Sequence, residues 1–148
     1  MARTRVDFYL LDTPGESPVL MTACRLAEKA IQRQQHVFVR VTDARQLRDM
    51  GAALWGFRAD AFLPHGLVGA EGAPIEPVWL GIEVPADERL PPVMINLDWS
   101  RPSPWERFGR VLEIVPAEPA LRAGMRVRFR EYRKAGIEPN THELAPRQ

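Results

Sequence analysis

The fold of this chain follows from the stretch VDFYLLDTPGESPVLMTACRLAEKAIQRQQHVFVRV, residues 6–41. Both ends of the stretch are runs of β-branched, aromatic and other apolar residues, which is typical of buried strands. Between them, apolar residues recur at spacings of 4, 3 and 4, as on one face of a helix: Leu20, Cys24, Ala27 and Ile31. Ser17 and Pro18 suit the N-cap and first turn of that helix. The stretch therefore predicts a strand, a helix and a second strand in succession.

The rest of the chain continues this alternation. Thr42 or Asp43 can cap a second helix, whose core side carries Leu47, Met50 and Leu54. We expect further strands at 78–83, 93–97 and 111–115, a short helix at 102–108 and a long surface loop at 56–77. A last helix begins near Pro119 and ends near Gly136.

Strands that alternate with helices indicate an α/β fold with a mainly parallel central sheet flanked by helices. We expect a single α/β domain over residues 1–140, with a nucleotide-binding-like (Rossmann-like) topology, and a polar C-terminal tail over residues 141–148. The chain of 148 residues is long enough to bury a core.

Composition gives a broad class. The chain is 45% hydrophobic and 26% charged, with a net charge of +1, which is typical of a globular protein. It has no run of about 18 apolar residues, as a membrane span would need, and no apolar signal-peptide core near its start. We therefore expect a cytoplasmic protein with no membrane contact. The single cysteine, Cys24, falls on an apolar helix face and is predicted to be a buried core residue.

Motifs for catalysis and cofactor binding are missing. The first strand-to-helix loop, DTPGE at 12–16, has one glycine and two acids, so it lacks the glycine fingerprint for a pyrophosphate. No P-loop lysine motif or nucleophile elbow occurs. The three histidines, at 36, 65 and 142, do not have metal-ligand spacing. We expect no catalytic residue, no metal and no cofactor.

Basic residues are concentrated near the C-terminus. On a helix, Arg122, Arg126, Arg130 and Arg133 fall within about 80° of one another; we call these four residues the arginine stripe. An apolar arc of Leu121, Met125, Phe129 and Tyr132 adjoins it. One interpretation is a solvated helix face. However, like charges at i, i+4 repel, which favours binding of an anion, either a nucleic-acid backbone or an acidic peptide.

A second candidate is an aromatic segment at residues 54–68. It places Trp55, Phe62, His65 and Leu67, among other large side chains, at a helix end and in the loop that follows. The segment either covers the protein's own core or forms a protein-binding patch. Trp99 and Trp105 flank a Ser/Pro/Arg segment; packing at a strand-to-helix corner is the preferred interpretation, and base stacking is the alternative.

Three blocks in this order carry a family resemblance: VDFYLL at 6–11, the Leu54-Trp55 to Pro64-His65 segment, and RFREYRKAG at 128–136. Together they resemble the chi subunit family of bacterial DNA polymerase III. The resemblance implies a nucleotide-binding-like fold without catalysis, in an accessory subunit of the clamp-loader complex. It also implies binding to the acidic C-terminal tail of single-stranded DNA-binding protein (SSB), which ends in Pro-Phe, and hence an indirect association with single-stranded DNA. A psi subunit or a helicase is the second partner that the resemblance implies.

The resemblance also assigns residues. The tail-binding basic positions match Arg122, Arg126 and Arg130, with Val115 at the apolar part of that site. Our expectation for the pocket that receives the terminal phenylalanine is Phe108, Val115 and Tyr132. The partner-binding aromatics match Trp55 and Phe62. The alternative hypothesis is a protein that binds single-stranded nucleic acid directly through the same stripe.

Overall fold

The computed structural model describes residues 3–56, 63–68, 74, 76–86, 89–99, 101–102 and 104–143. The strands are β1 (Arg5–Leu10), β2 (Val37–Arg40), β3 (His65–Leu67), β4 (Val78–Gly81), β5 (Val93–Asn96), β6 (Arg110–Val115) and β7 (Asn140–Glu143). The helices are α1 (Glu16–Gln32), α2 (Ala44–Trp55) and α3 (Pro119–Lys134), with a 3-10 turn at Trp105–Arg107.

The strands form one seven-stranded sheet in the order β3-β4-β2-β5-β6-β1-β7. Every pairing between described strands is parallel. The α/β class, the parallel sheet and the Rossmann-like topology predicted from the sequence are thereby confirmed. Parallel sheets need cover on both faces, and the helices provide it.

Each face of the sheet has its own core. On one face, α1 and α2 pack against alternate strand residues, with Ala23, Ala27, Met50 and Leu54 fully buried. On the other face, α3 packs through Tyr132 against Phe8 and Val111. Cys24 lies in the first core with no exposed surface, and burial raises the pKa of its thiol to about 12. Cys24 is therefore the buried core residue that its position on the apolar helix face predicts.

Helix ends follow local chemistry only in part. Asp43 caps α2 as expected, since its Oδ1 accepts a hydrogen bond from the Gln46 N–H at 2.8 Å. The N-cap of α1 is Gly15 rather than Ser17, because Ser17 already lies inside the first turn. Gly15 has φ +106°, a backbone conformation that glycine adopts without strain.

The short helix expected at 102–108 is only the 3-10 turn Trp105–Arg107, and two strands differ from the prediction. Strand β3 lies within the expected loop 56–77; it has only three residues and one partner strand, β4, so its sequence carries no strand periodicity. Strand β7 crosses the expected domain boundary at residue 140 and pairs with β1 as far as Glu143. The sequence of β7 resembles a polar tail because β7 is an edge strand and most of its side chains are exposed.

No helix in the described part of the chain is both long enough and apolar enough to cross a membrane.

Candidate functional site

The arginine stripe lies along one side of α3, and its four members have different surroundings. Arg126 and Arg130 are exposed and form no ion pair with any described residue. Arg133 is exposed and lies 3.4 Å from the Glu138 carboxylate, a surface pair of little energetic weight. Arg122 is partly buried, and its Nη2 donates to the Leu11 carbonyl oxygen at 2.5 Å. The stripe thus offers unpaired positive charge mainly at its middle.

Arg128 is on the same helix but on its buried side. Its Nη1 lies 3.5 Å from Glu113 Oε2, and its Nη2 donates to the Arg101 carbonyl oxygen at 3.0 Å. Its guanidinium carbon also lies 5.9 Å from the centre of the Trp99 ring. Arg128 is therefore part of the protein interior, outside the stripe.

Glu113 is at the centre of a group of buried polar side chains that was not predicted from the sequence. It accepts hydrogen bonds from Asn96 Nδ2 at 2.8 Å and from the Tyr132 hydroxyl at 2.5 Å. In the sheet register, Arg40 pairs with Asn96 and Asn96 pairs with Glu113, so the three form a row across β2, β5 and β6 beneath α3. Burial raises the pKa of Glu113, while Arg128, Tyr132 and Asn96 oppose that rise.

A sequence signal for this row existed. Each of the three side chains is a polar residue that ends or interrupts an apolar run: Arg40 in VFVR, Asn96 in VMIN and Glu113 in RVLEIV. Buried polar groups need partners, so three such residues in neighbouring strands indicate a network. The strand register that aligns them is decided only in the folded sheet.

The residues expected to form the phenylalanine pocket are buried. Val115 and Tyr132 have no exposed surface and Phe108 is 2% exposed. All three pack in the α3-side core, where Tyr132 also contacts Trp105 with a centroid separation of 5.4 Å. The helical arc that holds Tyr132 therefore points into the sheet, and these three side chains do not line an open surface.

Partly exposed apolar residues lie next to the stripe instead. Phe129 and Met125 on α3 and Leu10 on β1 are only partly buried at the edge of this core. The Phe129 ring packs against Phe8 with centroids 5.3 Å apart, and the Arg133 guanidinium lies 5.9 Å from the Phe129 ring centre. The spacing of Phe129 in the apolar arc had placed it beside the arginines, and the structure keeps it there.

A crevice of about 340 Å³ opens at the carboxyl ends of the strands. Nucleotide-binding α/β folds bind phosphate in this region, at the N-terminus of the first helix. Here Glu118 Oε2 accepts the Gly15 N–H at 3.1 Å, and Glu16 also lines the crevice. The chain's own carboxylate therefore occupies the anion position, in agreement with the acidic loop at 12–16.

The aromatic segment is described only in part, since Phe62 lies outside the described residues. Trp55, the last residue of α2, is 69% exposed, and Leu67 on β3 is 62% exposed. His65 and Leu67 are two residues apart on β3 and so share a face of the sheet. The His65 ring lies near Gly51, one helical turn before Trp55. The structure thus brings Trp55, His65 and Leu67 to one side of the sheet.

His65 also has a structural contact, because its Nδ1 lies 3.0 Å from the Leu63 carbonyl oxygen. Trp99 donates from Nε1 to the Ile114 carbonyl oxygen at 3.1 Å and packs edge-on against Phe8. Trp99 and Trp105 therefore pack at the strand-to-helix corner, as the preferred interpretation had it. No group of His, Cys, Asp and Glu side chains within the described ranges could hold a metal ion.

These features define a class: a parallel α/β domain whose phosphate position is filled by its own glutamate and whose exposed face carries arginines. The family model of the DNA polymerase III chi subunit matches residues 3–140. The chain is 41% identical over 142 residues to DNA polymerase III subunit chi of Pseudomonas aeruginosa, covering 95% of this chain and 97% of the relative. It is 31% identical over 141 residues to the Escherichia coli subunit, covering 90% and 94%. The chain belongs to the DNA polymerase III chi subunit family, and the family resemblance is confirmed.

Proposed function

We propose that this chain is a non-catalytic, cytoplasmic accessory subunit of the replicative DNA polymerase III holoenzyme. In this proposal it works within the clamp-loader complex, binds the acidic C-terminal tail of SSB and links that protein to the polymerase assembly. The observation that carries the proposal is the arrangement of exposed Arg126 and Arg130 on α3 beside the partly exposed ring of Phe129.

Electrostatics supports an anionic ligand at this surface. Arg126 and Arg130 repel each other at i, i+4, by a few tenths of a kcal/mol in an isolated helix, and no described carboxylate pairs with either. A tail rich in carboxylates would relieve this repulsion. Arg126, at the middle of the stripe, is our candidate for pairing with the terminal carboxylate. Arg122 already donates to the backbone carbonyls of Leu11 and Pro116, so its contribution is more to orientation.

The apolar end of the tail needs an apolar contact close to these charges. Phe129, Met125 and Leu10 supply one on the side of the stripe that faces β1. They replace Phe108, Val115 and Tyr132 in this role, because the latter have almost no accessible surface. Val115 and Tyr132 then support the site from beneath.

The test is a titration with a synthetic acidic peptide ending in Pro-Phe and with the same peptide lacking the terminal Phe. We expect the full peptide to bind and the truncated peptide to lose about tenfold or more in affinity, because burial of one aromatic side chain is worth roughly 1.5–3 kcal/mol. Calorimetry at low salt measures both. Equal binding of the two peptides would refute tail recognition.

Direct nucleic-acid binding through the stripe is the competing function, and an oligonucleotide distinguishes it. A nucleic-acid binder would bind single-stranded DNA with an affinity that falls steeply as salt rises. It would also bind the two peptides alike, since both keep their upstream carboxylates. A tail binder gives the opposite pattern in both assays.

A second partner surface belongs to the same proposal. Trp55, His65 and Leu67 share one side of the sheet, and two of them are mostly exposed. Exposed large apolar side chains in one place favour a protein interface. The family implies a psi subunit or a helicase as the partner, and Phe62 stays a predicted member of the patch.

Changing Trp55 to Ala tests this surface. Because Trp55 is 69% exposed, we expect the free energy of unfolding to change by less than about 0.5 kcal/mol. We expect capture of the psi subunit or the helicase to fall strongly while peptide binding stays at its wild-type value. Val127→Ala, another exposed apolar position that lies outside both proposed binding surfaces, is the matched control. Unchanged capture of both candidate partners by the Trp55 variant would contradict the assignment.

A further inference from the structure

A second basic site lies on the face of the sheet opposite α3. A pocket of about 100 Å³ opens beside the carboxyl end of α1, over the amino ends of β5 and β6. Three basic side chains line it, Lys29, Arg33 and Arg110, together with the ring of Tyr9 and with Gln35. This pocket is remote from the crevice at the carboxyl ends of the strands.

The charges around this pocket are only partly balanced. The Lys29 and Arg33 side chains have no ion pair with any described residue. The carboxylate that pairs with Arg110 is Asp7, which is fully buried and whose oxygens are already engaged. Its Oδ1 lies 2.8 Å from His142 Nε2, and its Oδ2 lies 3.1 Å from Arg110 Nε. These contacts keep the pKa of Asp7 lowered against the effect of burial, so one negative charge faces several cations.

Arg110 is held in place while part of its guanidinium stays available. Its Nε donates to Asp7, and its Nη2 lies 3.4 Å from the Tyr9 hydroxyl. A guanidinium has five N–H donors, so donors remain for a ligand. Tyr9 is fixed in turn by stacking on His142, with ring centroids 4.7 Å apart and planes at 17°. The floor of the pocket is therefore preorganised, and Lys29 and Arg33 form its adjustable rim.

The size of the pocket limits the ligand. Its volume is well below the roughly 300 Å³ of pockets that enclose a drug-sized molecule, so it takes a compact group and leaves the rest of a larger ligand outside. A tetrahedral oxyanion matches both the volume and the donors, because guanidinium and ammonium groups bind phosphate by charge-assisted hydrogen bonds. We propose that the pocket formed by Lys29, Arg33, Arg110 and Tyr9 binds a phosphate group.

Binding of inorganic phosphate tests the site directly. We expect phosphate, compared with chloride at equal ionic strength, to shift the backbone amide resonances of Ala30, Gln35 and Leu112 in a saturable way. In the double variant Lys29→Gln/Arg33→Gln, the dissociation constant should rise about tenfold or more. Both side chains are at the rim, so the fold should be retained. The control is Arg48→Gln/Lys134→Gln, which removes the same charge at exposed positions elsewhere and should bind like the wild type.

Two further binding measurements, one with oligonucleotides and one with inorganic phosphate, distinguish the possible sources of the phosphate group. If the natural ligand carries a terminal phosphomonoester on nucleic acid, a short oligonucleotide with a 5′-phosphate will bind more tightly than the same oligonucleotide with a 5′-hydroxyl. If it is a free phosphometabolite, inorganic phosphate will bind and the two oligonucleotides will not differ. Absence of saturable shifts, or equal shifts in the double variant and the wild type, would overturn the proposal. Tail-peptide affinity should be unchanged in the Lys29→Gln/Arg33→Gln variant, so this test is independent of the function assigned to α3.

Discussion

Replacing Arg128 by Met will destabilise the fold by about 3–5 kcal/mol at neutral pH. Arg128 is 6% exposed, and its Nη1 lies 3.5 Å from the fully buried carboxylate of Glu113. Removing one partner of a buried ion pair leaves the other charge buried without compensation. The resulting loss in free energy of unfolding is larger than the net stabilisation that the intact pair contributed. The backbone carbonyl oxygen of Arg101 also loses its donor. Urea unfolding measures the effect, and Arg130→Met, on the exposed side of α3, should change the free energy of unfolding by less than about 0.5 kcal/mol.

The loss of stability in the Arg128→Met variant should increase with pH. Burial already raises the pKa of Glu113 above the ordinary value for a glutamate, and Arg128 opposes that rise. Removing Arg128 therefore raises the pKa of Glu113 further. The folded variant then binds more protons than the unfolded chain above about pH 4.5, and stability falls as pH rises. The deficit relative to the wild type should therefore be larger at pH 8 than at pH 5. Adding Glu113→Gln should remove this extra dependence; an equal deficit at both pH values would refute the account.

For the proposed tail site, we expect Arg126→Ala to lower the affinity for an acidic peptide ending in Pro-Phe by about tenfold or more. Arg126 is exposed, lies at the middle of the arginine stripe and has no ion pair within the described ranges. Its charge is therefore available to a carboxylate, and its loss is not replaced by a local residue. Calorimetric titration at low salt measures the change, because salt screens exposed charges.

The control for this variant is Arg48→Ala on α2, which removes an equal charge from an exposed position on the other face of the sheet. It should leave peptide affinity near the wild-type value. Arg122→Ala should weaken binding less than Arg126→Ala, since Arg122 already donates to two backbone carbonyls. Wild-type affinity in the Arg126 variant would remove the stripe from the proposed site.

Local pattern predicted most of the secondary structure. The 4-3-4 spacing that includes Cys24 and Ala27 predicted α1 correctly, and Asp43 predicted the start of α2. Both features depend only on residues a few positions apart in the sequence. Strand β3 was not predicted. It has three residues at the edge of the sheet, and it forms through its pairing with β4, so its sequence shows no strand pattern. The predicted end of the domain, residue 140, is three residues too early for the same reason, because β7 is polar and forms through its pairing with β1 as far as Glu143.

The sequence predicted only part of the candidate site correctly. Helical spacing placed Arg126, Arg130 and Phe129 together, and they do share one side of α3. It could not tell that Tyr132, only three residues from Phe129, faces wholly inward. The angle between two side chains on a helix is a local property, whereas the direction of the buried face depends on how the helix packs.

By itself, the sequence determined that the chain alternates strands with helices, that its first loop does not suit a phosphate, and that four arginines occupy one arc of α3. Only the tertiary structure decided which arginine is buried, which aromatic rings stay accessible, and that Arg40, Asn96 and Glu113 stand in one row. The reason is physical: helical periodicity and turn chemistry act over a few residues. Parallel strand register and helix docking instead join residues far apart in the chain.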